Sequence, residues 1–431
     1  MTASPGSTVI RARPRSGPLV RLLANQVVRY LSFLEKGTLV VVFPDGSVRS
    51  FGRTPSPAAE LRIERGSFFR RVVLGGEIGL GDAYVRGEWR SPDPSAVLRV
   101  FIENEPILMA QRARPVWVTR LTNRVGFRVR AGTVLRRRRP MRGPFDLDYE
   151  SLRPVLDETM SMTSGVWLDP AEDLEQAQRN RMQALIRKAR LAPGVHLLDI
   201  GSGWGGLAME AARSTGCRVT AVTLSPEQLE YTRRRVLRTG LSQLVEVRLA
   251  DYREIGGPFD RIVSTEMLEF VGHESFGVFF ETCDRLLAPE GLLVLQVITI
   301  PDQRYEAHRM GVDWVQKQLF PAMGIPSLNM LTEAMTRWSS LTVENLENIG
   351  PHFARTLREW SRRLAEAGEP LRGAGWDERR RRTFEYLLAY GEAAFATRNL
   401  NLLQLVLTRP NNTTLGSDVA LDGRQSDAGS R

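Results

Sequence analysis

The run at residues 197–207 constrains the fold more than any other part of the sequence. The apolar residues Leu197 and Leu198 lead into an acid, Asp199, and then Gly201, Gly203 and Gly205 open a turn before Leu207. This is a buried strand, a glycine turn and the start of a helix. Glycines there let backbone approach a ligand at the carboxyl end of a parallel strand. Such a turn also serves dinucleotides, but those sites expect an acid about 20 residues on to bind the ribose. Here the next strand ends at Thr223, Leu224 and Ser225, with no acid at its tip, and no Gly-Lys-Ser/Thr follows to make a phosphate loop.

Around this run, helical and strand patterns alternate from about residue 144, which is the α/β signature. Strands are expected at 195–200, 218–224, 245–249, 261–264 and 291–298. Helices are expected at 175–190, 226–238 and 276–287. Before residue 144 the pattern differs. Residues 1–20 read as a disordered tail rich in Pro, Ser, Gly and Arg. A smaller unit spans 22–110, with strand-like runs at 38–43 and 47–51 around the turn signal of Pro44, Asp45 and Gly46. Helical spacing follows over 68–74, then a glycine-rich stretch from Gly75 to Gly81. Residues 111–143 form a basic linker that includes Arg136, Arg137, Arg138 and Arg139. Residues 411–431 read as a second disordered tail.

Two cysteines, Cys217 and Cys283, exclude a disulfide framework and suit a reducing compartment. His196, His273, His308 and His352 are too scattered for a metal cluster, so no metal is expected. No apolar run reaches the roughly 18 residues that span a bilayer, and a cytoplasmic protein is expected. The formal net charge is +10, and of 59 basic residues only Lys36, Lys188 and Lys317 are lysine. The positive excess points to an anionic partner, nucleic acid or a membrane surface. The linker arginines read either as a solvated segment or as a tether to anionic head groups.

The spacing of Asp199, Gly201 and Gly203 matches the S-adenosylmethionine motif of class I methyltransferases. Further residues carry a wider resemblance: 173–178, 198–207 with Trp204, 222–228, 251–253, 259–264 and 269–272. Trp314, Phe320, Pro321, Pro326, Ser327, Ala394, Phe395 and Arg398 extend it. Over 145–410 the chain resembles the cyclopropane fatty acid synthases and mycolic acid methyltransferases. The stretch 75–89 resembles the smaller N-terminal domain of the longer bacterial members. The resemblance implies a Rossmann-like, mostly parallel sheet in a methyltransferase domain over 144–410, and an α+β lipid-associating domain over 22–110. It implies S-adenosylmethionine as cofactor, with Thr163, Ser164, Asp199, Gly201, Gly203, Gly205, Thr223, Ser225, Gln228 and Asp251 as candidate contacts. The competing reading of Asp251 is an ordinary loop or N-cap acid.

The implied substrate is an unsaturated phospholipid acyl chain, met at the inner face of the membrane. An alkene carbon attacks the cofactor's methyl group and leaves a carbocation, so no conventional nucleophile is needed. In ring-forming members a bound bicarbonate is the base, held by Cys, Glu, His and Tyr side chains. Here Ser164, Gln296 and Phe353 replace the Cys, His and Tyr, and only Glu269 remains. A buried anion without donors is costly. In compensation Glu266 stands where the family usually has glycine. It reads as a solvated loop carboxylate, as the partner of a nearby arginine, or as a protein-borne base. With Glu269 it forms the candidate catalytic pair, and the substitutions fit a branch that makes 10-methylene (tuberculostearic-type) acyl chains. A homodimer and a separate reductase acting on the methylene product are compatible with this reading. The ring-forming activity is the alternative. A nucleic-acid methyltransferase and an inactive cofactor-binding scaffold are the rivals, and no Asn-Pro-Pro-Tyr-like base-flipping motif supports the former.

Overall fold

Apolar runs between amphipathic helices build the centre of the molecule. In the computed structural model the described residues are 17–110 and 149–415, except 322. The linker 111–143 with Arg136 to Arg139, the first sixteen residues and residues 416–431 lie outside them. The main sheet has seven strands in the order β10-β11-β9-β8-β5-β6-β7. Its parallel part is β5 (His196–Ile200), β6 (Arg218–Thr223), β7 (Val245–Leu249), β8 (Phe259–Thr265) and β9 (Leu287–Thr299). Two antiparallel strands complete it, β10 (Thr342–Asn348) and β11 (Asn401–Thr408). β5 pairs with β6 on one side and β8 on the other, so strand order reverses there. Open α/β sheets bind ligands in the crevice beyond the carboxyl ends of strands at such a switch point.

Fifteen α-helices lie among the described residues. In the N-terminal unit these are α1 (Pro18–Leu31), α2 (Ser67–Val85), α3 (Pro94–Glu103) and α4 (Glu105–Ala110). Next come α5 (Tyr149–Leu152), α6 (Leu174–Lys188), α7 (Gly206–Thr215), α8 (Pro226–Arg238) and α9 (Phe276–Leu286). The remainder are α10 (Asp302–Met310), α11 (Trp314–Gln318), α12 (Leu328–Trp338), α13 (Gly350–Glu366), α14 (Gly368–Gly373) and α15 (Glu378–Ala396). Side-chain caps fix several starts. Asp173 accepts from the backbone N–H of Gln176 at 2.8 Å to begin α6, and Ser225 caps α8 ahead of Pro226 at its first position.

The N-terminal unit carries a second sheet, β2-β1-β3-β4. Its strands are β1 (Thr38–Val42), β2 (Val48–Phe51), β3 (Ala58–Ile63) and β4 (Trp89–Arg90). Three sequence expectations shift here. The helix α1 starts at Pro18, so residues 18–20, assigned to the tail, are helical. β3, parallel to β1, was not expected. The glycine-rich stretch does not end the helix begun at Ser67; α2 continues through it with a kink at Gly76 (φ 55°, ψ −130°). Close packing accounts for the stretch at Gly81, where a Cβ would lie 2.5 Å from the Trp314 ring. Trp314 and Tyr386 belong to the same hydrophobic core as Phe68, Tyr84 and Trp89. The smaller unit therefore shares its core with α11 and α15. No helix among the described residues is long and apolar enough to cross a membrane.

Candidate active site

Two groups of residues gather at the switch point. The first surrounds the loop after β5. The backbone N–H groups of Gly201 and Ser202 both donate to the Val222 carbonyl on β6, at 3.1 and 3.0 Å. Gly203 has φ +54°, and a Cβ there would meet nothing within 4 Å. It combines a left-handed backbone with open space, as close approach to a ligand requires. Gly205, at φ +78°, starts α7.

Beneath this loop lies Asp199, 1% exposed, with neither carboxyl oxygen hydrogen-bonded. Burial pushes its carboxyl up to about 7, against the opposing charge of Arg181. Arg181 on α6 is 2% exposed. Its Nε donates to Gln178 Oε1 at 3.1 Å and one terminal nitrogen donates to Ser161 Oγ at 3.2 Å. The other, Nη1, is buried without a partner. Arginine and aspartate are almost never fully buried unless paired. An unsatisfied acid and an unsatisfied guanidinium, near enough for their charges to couple, fit a zwitterionic amino-acid moiety such as that of S-adenosylmethionine. Arg181 escaped the sequence reading, although a charged residue on the apolar side of a helix was the available signal.

The other candidate contacts flank the crevice with local partners of their own. Thr223 Oγ1 donates to Gln228 Oε1 at 2.7 Å, and Ser225 Oγ accepts from the Gln228 N–H at 3.3 Å. Asp251 follows β7, caps the turn Tyr252–Glu254 through the Arg253 N–H at 3.0 Å, and pairs with the Arg253 guanidinium at 2.5 Å. The capping alternative read for Asp251 is thus present.

The second group is acidic. Glu266 follows β8 at φ +50°, a conformation that L side chains rarely adopt. Its N–H donates to the Gln296 carbonyl at 2.7 Å. Its Oε1 accepts from the Thr163 hydroxyl and from Gln296 Nε2, the latter at 2.9 Å. Gln296 Nε2 also donates to Thr163 Oγ1 at 2.6 Å. Glu266 is half-buried, and desolvation pushes its carboxyl up to about 7, while Thr163, Gln296 and Arg181 hold it down. Among the described residues no arginine forms an ion pair with it. Thr163, expected as a cofactor contact, donates its hydroxyl to Glu266.

Glu269 lies one turn further, in Leu268–Phe270, and is 1% exposed. Its Oε1 accepts from the Ile298 N–H at 2.5 Å, and its Oε2 is buried without a partner. Burial and then the neighbouring Glu266 charge raise its carboxyl. Ser164 is fully buried and its hydroxyl donates to the Gly165 carbonyl at 2.7 Å. Phe353 packs on Phe395 with ring centroids 4.6 Å apart. Of the three replaced positions, only Gln296 meets the acidic pair directly.

The profile of the mycolic acid cyclopropane synthetase family matches residues 135–405. The chain belongs to this family. Among curated members, the tuberculostearic acid methyltransferase UfaA1 of Mycobacterium tuberculosis is 33% identical, over 92% of this chain and 94% of that protein. The cyclopropane-fatty-acyl-phospholipid synthase of Escherichia coli K12 is also 33% identical, over 82% of this chain and 89% of its own. Among solved structures, the cyclopropane synthase MmaA2 of M. tuberculosis superposes with a TM-score of 0.57 at 27% identity, covering 61% of this chain and 95% of its own. The mycolic acid cyclopropane synthase CmaA1, solved with SAH and CTAB, gives 0.56 at 26% identity, covering 62% of this chain and 95% of its own. This cyclopropane synthetase family member is an S-adenosylmethionine-dependent methyltransferase of class I fold, and the crevice at Gly203, Asp199 and Arg181 is its candidate cofactor site.

Proposed function

We propose that the protein methylates the cis double bond of an unsaturated phospholipid acyl chain and releases a methylene-branched product. One observation carries this reading: a carboxylate, Glu266, is held at the switch point in a strained backbone conformation by Thr163 and Gln296. Strained residues that persist at ligand crevices are candidates for function. When bound, S-adenosylmethionine supplies an electrophilic methyl group. The alkene takes up the methyl on one carbon as the methyl–sulfur bond breaks, leaving a carbocation on the other carbon and S-adenosylhomocysteine as the second product. A hydride shift moves the cation to the methyl-bearing carbon. Glu266 then accepts a proton from the methyl group, and the electron pair of that C–H bond closes the methylene double bond. Glu269, the second acid of the pair, would add negative charge near the cation when it is ionised. A carboxylate is a weak base, but the proton beside a carbocation is acidic enough for it to suffice.

Ring closure would require the proton to leave before the hydride shift. Of the side chains that hold bicarbonate for that step, only the glutamate is kept, as Glu269: Ser164 is turned to its neighbour's carbonyl, Gln296 replaces the histidine, and Phe353 carries no hydroxyl. The reading is tested with Glu266→Gln in bicarbonate-free buffer. Turnover should fall at least ~100-fold, the scale of general acid–base catalysis, while calorimetry finds unchanged S-adenosylmethionine affinity. Full turnover in that variant would overturn the assignment.

Binding at a membrane surface belongs to the same proposal. In α2, just before the kink at Gly76, Leu74 is 72% and Val73 37% exposed, next to exposed Arg70. Apolar side chains beside a cation suit the boundary between head groups and acyl chains.

A further inference from the structure

The polar contacts of Glu266 do not stop at Gln296. In the sheet register Glu347 on β10 lies opposite Gln404 on β11, and Gln404 lies opposite Gln296 on β9. Three strands thus place a row of polar residues across a core sheet. Gln404 is fully buried and Gln296 is 1% exposed. Gln404 Nε2 donates to Gln296 Oε1 at 2.8 Å. Lys188, at the last position of α6, donates through Nζ to Gln404 Oε1 at 2.6 Å and pairs with Glu347 at 2.5 Å. The Lys188 side chain is 17% exposed and that of Glu347 57%, so the chain runs from the surface to the acidic pair.

This chain has one direction. An ammonium has three donors and no acceptor, whereas each glutamine amide has an acceptor end and a donor end. Lys188 therefore requires the oxygen of Gln404, which turns the Gln404 nitrogen to Gln296. That fixes the Gln296 oxygen on Gln404 and its nitrogen on Glu266. Flipping both amides would present an oxygen to Glu266 and stabilise its protonated form. It would also set the Gln404 nitrogen against the Lys188 ammonium, donor against donor. We infer that Lys188 and Gln404 are positioning residues that lock the Gln296 amide with its N–H groups toward Glu266, keeping that carboxylate ready to accept a proton. This role rests on the reading of Glu266 as the base. The other charged groups coupled to Glu266 are Arg181 on α6 and Glu269, and neither depends on the chain.

The test titrates Glu266 in the full-length protein bearing 13C-carboxyl-labelled glutamate. The resonance is assigned by its loss in Glu266→Gln. In Lys188→Met and in Gln404→Leu the titration midpoint should rise by about one unit, the scale of a lost charge-assisted hydrogen bond. The acid limb of kcat against pH should rise with it, with S-adenosylmethionine affinity and the circular dichroism spectrum retained. Lys188→Arg keeps a donor-only cation and should restore the parent midpoint. An unchanged midpoint in both of the first two variants overturns the proposal. So does a rise in Lys188→Met without one in Gln404→Leu, because that pattern belongs to charge alone. Since the midpoint is read independently of turnover, full activity in Glu266→Gln would instead remove the base reading and leave the positional result standing on its own.

Discussion

Glu266 sits at φ +50°, where an L side chain costs on the order of 1 kcal/mol. Glycine, which the family usually places there, avoids that cost. A carboxyl group enclosed with a second one, Glu269, adds a desolvation penalty. Holding these two carboxyls together therefore costs stability, and the cost has a pH signature. Burial and the Glu266 charge raise the Glu269 carboxyl above its ordinary value of 4.5. The folded state thus binds protons more tightly than the unfolded chain. Stability is fully present below pH 4.5 and is lost as pH rises through the folded value. Glu269→Gln keeps the acceptor for the Ile298 N–H but cannot ionise. Its melting temperature should match the parent's near pH 4.5 and exceed it by about 1–2 °C at pH 8.5. Equal melting curves at both pH values would show that Glu269 carries no burial penalty. At this scale the sequence exposed Glu266 and Glu269 through their place in a pattern. Arg181, Lys188 and Gln404 stayed hidden because their roles depend on strands and helices paired across long stretches of chain.

The elements differ in how openly their sequences state them. The inner strands β5, β6 and β8 are flanked on both sides, and each is legible through a short buried apolar pair: Leu197 and Leu198, Ala221 and Val222, Ile262 and Val263. The helix α8 reads to the residue, with Ser225 and Pro226 at its start. β10 sits at the sheet edge, and six of its seven residues are exposed, so it offers no apolar run to recognise. β11 is apolar but interrupted by Gln404, and that interruption marks the polar row across the sheet. In α2 the glycines conceal a helix that kinks at Gly76 and leaves Val73 and Leu74 exposed just before it. A leucine buried in lipid contributes about 1.5–3 kcal/mol. Leu74→Glu should therefore weaken partition onto anionic phospholipid vesicles by about tenfold or more, measured by sedimentation, without changing S-adenosylmethionine affinity. Unaltered partition would place the membrane contact elsewhere.

Across the whole molecule, the N-terminal unit is packed into the methyltransferase rather than appended to it. Tyr84, Trp89, Trp314 and Tyr386 share one core, and Arg382 on α15 donates to the carbonyls of Tyr84 and Trp89 at 2.7 and 3.0 Å. α15 also supplies Phe395, which stacks on Phe353. The N-terminal unit thus connects through one helix to Phe353. The α/β architecture was legible because its strands are local in sequence; this shared core was not, because it joins residues some 300 positions apart. The order of events at the alkene is the central claim and can be read from the product. The enzyme is supplied with a phospholipid whose acyl chain carries deuterium on both alkene carbons, and the product is examined by 2H and 13C NMR. A hydride shift followed by proton loss to Glu266 places both deuteriums on one carbon beside a methylene branch. One deuterium on each of two adjacent ring carbons would contradict it and assign the protein to ring formation.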